Sequence, residues 1–246
     1  MNINGTDIHV EVDGSDAAPG LLLWNGYMCT TKMWDDTIPE LKKHFRVVRF
    51  DVRGTGQSDA SASTNDYTME QLMNDGVAIL DNLDIDKAYV WTMAWGSRCG
   101  VAFGAYHPER IKALALYDVS VAAADVDAQM RMRKEAIAAQ EAEGIPKRAR
   151  PEGAIEHRDP EEAKRGYGSI RTEKDLSGLV DRITVPTLVC TGDYDPNLVS
   201  SRDVAARIPN AELVVMKNVG HGSVMQRPDL AVEKFLDFVR RNDGLK

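Results

Sequence analysis

The chain has 246 residues, enough for one large α/β domain, and its 43% hydrophobic and 28% charged residues are the balance of a globular protein with a sizeable core. A formal net charge of −8 argues against unaided binding to nucleic acid or to an anionic membrane, because both need a basic face. A small, largely apolar molecule is the partner this balance leaves.

Taken in chain order, the N-terminal MNINGTDIHVEVDG has polar residues every second or third position, so it lacks the apolar centre of a signal peptide. GLLLW (20–24) and RVVRF (46–50) then read as buried strands, and MEQLMNDGVAILDNL (69–83) has apolar residues at helical spacing. AYVWT (88–92), KALALY (112–117), PTLVCT (186–191) and ELVVM (212–216) read as further strands, and DLAVEKFLDFVRR (229–241) as a closing helix. Alternation of this kind is the signature of βαβ units and a mostly parallel sheet. The alternation breaks between about Ser120 and Gly178: AQMRMRKEAIAAQEAEG (128–144) reads as a charged helix, followed by a basic, proline-containing stretch. A solvated helical insertion and a lid over a site are both compatible with it. No uncharged run approaches the roughly 18 residues of a membrane span, and no internal repeat is apparent. Cys29, Cys99 and Cys190 have no metal-binding spacing, and their odd number argues against a disulfide framework, so a cytoplasmic location is expected.

In an open parallel sheet, ligands bind beyond the carboxyl ends of the strands, so the residues just after each run are the candidates. They are NGYMCTTKMW after GLLLW, DVRGTGQSD after RVVRF, MAWGS after AYVWT, TGDYDPN after PTLVC, and VGHGS after the next strand. In this order and spacing they resemble the α/β-hydrolase family, most closely its 3-oxoadipate enol-lactonase-like branch. HPERIKALAL and VGHGSVMQRPDL extend the likeness to nearly the whole chain outside the insertion.

The resemblance implies an α/β-hydrolase fold: a mostly parallel sheet with helices on both faces, formed by residues 1–120 and 179–246, and a short helical lid at 121–178. It places a catalytic aspartate at Asp195 and a catalytic histidine at His221. The chemistry agrees, since a carboxylate can fix the tautomer of a loop histidine and stabilise its charged form. His9, His44, His107 and His157 have no such setting. It also implies an oxyanion hole built from the backbone N–H groups of Tyr27 and Trp95. Relatives commonly have His-Gly where this chain has Asn25-Gly26. Trp24, Asn25, Met28, Met93 and Tyr167 are the expected pocket lining. Cys29, on the same loop, is a conceivable stand-in nucleophile, although a lone cysteine more often simply packs.

The nucleophile elbow of this family reads Gly-x-Ser-x-Gly, with small residues where strand and helix backbones nearly touch. Counting back from HPER at the family's spacing puts the serine position at residue 94, which is alanine, in Thr92-Met93-Ala94-Trp95-Gly96. Ser97 is no substitute: that register puts Trp95 and Cys99 at the two small positions. A methyl group cannot attack a carbonyl, so three readings stand. A natural serine has been changed to alanine, the intact Asp195 and His221 then keeping their usual roles. Alternatively the alanine is native and the His–Asp dyad does general-base chemistry: lyase, isomerase, C–C cleavage or hydrolysis without an acyl intermediate. Thirdly, the chain is a small-ligand binding protein that has lost turnover. Thr92 and Asn25 count against the first, since one change does not explain three departures. The retained dyad counts against the third. The expected activity is that of an enzyme acting on a small ester, lactone or related carbonyl compound, with no metal or organic cofactor indicated and a homodimer left open.

Overall fold

The computed structural model describes residues 1–61, 63–170 and 176–243. The first strands are short: β1 (Asn2–Ile3) and β2 (Thr6–Asp7) pair with each other, and β3 (Val10–Asp13) runs antiparallel on the edge of the main sheet. The apolar runs then become β4 (Gly20–Trp24), β5 (Arg46–Phe50), β6 (Ala88–Met93), β7 (Ile111–Tyr117), β8 (Thr187–Tyr194) and β9 (Ala211–Gly220). These six are parallel to one another, and with the antiparallel β3 they form a seven-stranded sheet in the order β3-β5-β4-β6-β7-β8-β9. Runs such as GLLLW and AYVWTM are buried at every position because helices cover both faces.

The helices are α1 (Ile38–Leu41), α2 (Met69–Asn82), α3 (Trp95–Tyr106), α4 (Val126–Ala142), α5 (Pro160–Ile170), α6 (Ser177–Val180), α7 (Leu198–Arg207), α8 (Ser223–Gln226) and α9 (Pro228–Asp243). Thr68 caps α2 by accepting from the N–H of Gln71, and Asp125 caps α4 by accepting from Ala128, which fixes where both helices begin. Side-chain alternation along the strands builds two cores. Leu22, Trp24, Val48, Phe50 and Val90 face α2, α3 and α7, while Leu21, Leu23, Val47, Tyr89 and Trp91 face α1 and α9.

Between β7 and β8 the described residues are helical or irregular, with no strand. This stretch is tied to the body at two places. Helix α4 crosses the end of β9, with Gln140 Nε2 donating to the carbonyl of Asn218 at 2.6 Å. The stretch ahead of α5 straps down the loop after β4: Thr30 N donates to Ala154 O at 2.9 Å and Thr30 Oγ1 to Gly153 O at 2.8 Å. No described helix is long and apolar enough to cross a membrane.

Candidate active site

The strand order brings four loops side by side. β6, β7, β8 and β9 are consecutive neighbours, so the residues that follow them, Ala94, Asp118, Asp195 and His221, lie along one carboxyl edge. The loop after β4, on the other flank of β6, completes the rim.

Ala94 sits in the turn between β6 and α3 with φ 54° and ψ −114°, a left-handed conformation that costs a β-carbon-bearing residue about 1–3 kcal/mol. Packing holds it there. Ala94 N donates to Tyr117 O at 2.8 Å, and two residues later a β-carbon on Gly96 would stand 2.5 Å from Asn25 O and 2.6 Å from Trp24 O. Helix α3 therefore starts against the backbone of β4. Thr92, where the family elbow has a small residue, is fully buried with its Oγ1 donating to Ala115 O at 3.0 Å. Room for it comes from Gly100, where a β-carbon would stand 2.9 Å from Thr92 Oγ1. Ser97 Oγ donates to Tyr117 O at 2.7 Å and is fully buried, so this hydroxyl is an internal fastener of the turn.

Asp195 and His221 come together as expected. His221 Nδ1 lies 3.2 Å from Asp195 Oδ1 and 3.1 Å from Oδ2, with the imidazole 20% exposed and the carboxylate fully buried. Asp195 Oδ1 also accepts from Asn197 N at 2.9 Å, and Oδ2 from Thr191 Oγ1 at 3.2 Å, so its orientation is fixed. Burial disfavours the imidazolium, but the hydrogen bond and charge of Asp195, with the charge of Asp118, outweigh it and lift the His221 pKa above the ordinary value.

Other expectations need correction. Trp24 is fully buried in the core, edge-on to Phe50 at 5.2 Å and tilted against Phe103 at 5.9 Å, because alternation along β4 points it away from the rim. Met93 is buried in the opposite core, its methyl packed beneath Gly26. Asn25 is also buried, and its side chain is committed to structure: Nδ2 donates to Phe50 O and Oδ1 accepts from Trp34 Nε1, both at 2.9 Å. It joins β4, β5 and the turn at Trp34. Met28 is half-buried with φ 52°.

Tyr167 is buried with its ring 4.9 Å from Tyr27 and 4.7 Å from Trp95, and its hydroxyl donates to Gly26 O at 3.3 Å. Helix α5 thus touches both rim loops that supply the expected oxyanion donors. Trp95 opens α3, and the first N–H of a helix has no partner within it. Cys29 is buried, which pushes its thiol up to about 11 and keeps it protonated at neutral pH. That removes it as a stand-in nucleophile.

A family model described as alpha/beta hydrolase fold matches residues 19–143, half of the chain. This chain belongs to the α/β-hydrolase fold family. The protein is 24% identical to 3-oxoadipate enol-lactonase 1 of Acinetobacter baylyi over 97% of this chain and 95% of that one. It is 27% identical to a poly(3-hydroxyalkanoate) depolymerase of Ectopseudomonas oleovorans over 90% and 84%. Among solved structures it resembles the enol-lactonase from Burkholderia xenovorans LB400, with 27% identity, a TM-score of 0.80, and coverage of 97% of this chain and 98% of that one.

Three residues of this α/β-hydrolase were not singled out from its sequence. Asp118 follows KALALY directly, so the strand-end rule would have found it. It is fully buried, and its Oδ2 accepts from Gly222 N at 2.9 Å and Ser223 N at 2.8 Å, on the loop that carries His221. Asp118, Asp195 and His221 each offer an atom within 4.8 Å of the others, the one group among the described residues with the donors for a metal ion. Arg133, on α4, is half-buried; burial and the neighbouring charge of Arg150 hold its pKa below the ordinary value. His157 joins the rim loops, accepting from Gly56 N at 2.8 Å through Nδ1, with Nε2 at 3.3 Å from Met28 O. Neither has a sequence signal, since both act through distant partners.

Proposed function

We propose that this α/β-hydrolase is an enzyme acting on a small ester, lactone or related carbonyl compound, with His221 as the general base and Asp195 as the residue that orients it. Ala94 occupies the family's nucleophile position, so no acyl-enzyme forms there. The observation that carries the reading is the intact pair: a partly exposed imidazole hydrogen-bonded at 3.1 Å to a fully buried carboxylate, beside a turn with no reactive side chain. His221 Nδ1–H donates to Asp195, leaving Nε2 to take a proton from water or from an acidic carbon of the substrate. The imidazolium formed is stabilised by Asp195, and the backbone N–H groups of Tyr27 and Trp95 receive the developing oxyanion.

The packing of Thr92 into the space left by Gly100 favours a native alanine over a single exchanged serine, because the turn is built around more than residue 94. The described part of segment 121–178 acts as a lid over the site, with Tyr167 as its contact to both oxyanion loops; residues 171–175 of that segment lie outside the described residues. The substrate is a small molecule, and no nucleic acid or membrane takes part.

The test is a side-by-side assay of this chain and Ala94→Ser against short esters and lactones, with intact-protein mass spectrometry. Turnover by the chain without a covalent adduct supports the proposal. A burst and an acyl adduct confined to the serine variant, with an inert parent chain, would replace it with the exchanged-serine reading. Saturable binding without chemical change in both would leave a binding protein.

A further inference from the structure

His221 has two carboxylates behind it, and only one is used above. Asp195 makes the direct hydrogen bonds. Asp118 reaches the same loop from the end of β7, with its backbone at φ 53° and pinned on both sides: Asp118 N donates to Cys190 O at 2.9 Å and Asn197 Nδ2 donates to Asp118 O at 2.9 Å. One carboxyl oxygen, Oδ2, holds the two backbone N–H groups that follow His221. The other, Oδ1, is buried and has no hydrogen-bond partner. Ser223 Oγ, on the same loop, is likewise buried without one.

An orphaned carboxylate oxygen is costly to bury when ionised, and more so with a second carboxylate nearby. Two things relieve the cost: a proton on Oδ1, or a positive charge on His221. These are alternatives, so the two groups titrate as a coupled set.

We propose that Asp118 is a second acid for His221: a positioning residue whose charge state sets how strongly the imidazole holds its proton. With Asp118 ionised, the imidazolium is held by two carboxylates. With Asp118 protonated, it is held by Asp195 alone, and His221 is a weaker base.

The surroundings fit. Burial, then the charge of Asp195, pushes the Asp118 carboxyl up to about 7, while the His221 charge and the backbone N–H of Ser223 pull it back. Arg133 faces the set from α4, and the Tyr117 hydroxyl and Cys190 thiol from β7 and β8; burial first, then the neighbouring Cys190, keeps Tyr117 protonated, and burial first, then the charge of Asp118, keeps Cys190 protonated. Arg133 is therefore the only permanent cation whose charge is felt at Asp118 among these neighbours.

This inference rests on His221 being the base of the proposed reaction, but its test needs no turnover. In full-length protein labelled at histidine ring carbons and nitrogens, with the His221 signals assigned by their loss in His221→Gln, the ring shifts are followed from pH 4 to 10. The expected curve has two inflections. Asp118→Asn keeps an oxygen for Gly222 and Ser223 and removes the charge, so one inflection remains and the proton affinity of His221 falls about tenfold. If Asp118→Asn does not fold, the side-chain carboxyl carbon of Asp118 in the unaltered protein gives the same answer, with a midpoint well above the ordinary carboxylate range expected. An unchanged His221 curve in Asp118→Asn, or an Asp118 carboxyl that is fully ionised by pH 5, overturns the proposal. A catalytically silent chain with the two-step curve would instead sink the proposed function and leave this coupling standing.

Discussion

The turn at Ala94 and the loops that end β8 and β9 sit on one edge of the sheet and are built in opposite ways. The turn is held by backbone and steric fit: Gly96 against β4, Gly100 against Thr92, and hydroxyls of Thr92 and Ser97 spent on carbonyls. No side chain from Thr92 to Ser97 is placed to act as an acid, a base or a nucleophile toward a ligand. The second region is built from ionisable groups: Asp195, His221 and Asp118 lie within 4.8 Å of one another, with Arg133 alongside. On the proposed reading, one region keeps the shape of a catalytic elbow without its chemistry, and the other keeps the chemistry. A conserved-looking shape is therefore poor evidence of mechanism, and the roles have to be read from the polar atoms.

Gly96→Ala is the most damaging way to break the turn. A β-carbon 2.5 Å from Asn25 O and 2.6 Å from Trp24 O meets two successive backbone carbonyls at the end of β4, so neither can swing aside as a side chain would. A loss of about 3 kcal/mol or more in urea unfolding is expected. Gly100→Ala should cost less, about 1–3 kcal/mol, because its nearest neighbours are the side chains of Leu116 at 2.7 Å and Thr92 at 2.9 Å. Combining it with Thr92→Ala should recover part of that loss, and simple additivity in this double-mutant cycle would show that Gly100 does not make room for Thr92.

The ionisable region responds to pH instead. The Asp118 carboxyl is held up to about 7 in the folded protein, so the native state holds a proton that the unfolded chain has released, and stability falls as pH rises from about 4 to 7. His221, with its pKa raised, stabilises the fold below its ordinary value and loses that contribution as pH rises through the folded one. Both act in the same direction. The drop in Tm between pH 5 and pH 8 should therefore be smaller in Asp118→Asn than in the parent chain, by on the order of 1 kcal/mol in stability. An equal drop would mean that Asp118 is ionised throughout. The smallest effect expected is a gain: Ala94→Gly relieves the φ of 54° and should stabilise the turn by about 1 kcal/mol.

Much of the fold was legible in the amino-acid sequence because it rests on periodicity. GLLLW, RVVRF, AYVWT and KALALY mark strands buried on both faces, and the spacing from HPER back to Ala94 marks the turn. β1 and β2, of two residues each, and the edge strand β3, with the polar pattern VEVD, carry too few apolar residues to stand out. The site was legible as far as local motifs reach: GDYD and GHG announce Asp195 and His221. Which side chains face the rim was not, since Trp24 and Met93 depend on the parity of each strand and Asn25 on partners 9 and 25 residues away. Arg133 joins the site only through the crossing of α4 over the end of β9.

The central claim is that His221, oriented by Asp195, does the chemistry beside a turn that does none. It is tested most directly by measuring kcat/KM for a lactone or ester turned over by this chain, then for His221→Ala and Asp195→Asn, with intact-protein mass spectra at each stage. The account predicts a loss of roughly 10²- to 10⁴-fold in both variants, retained folding, and no covalent adduct in any of them. Turnover that survives His221→Ala, or an adduct on the unaltered chain, would contradict it.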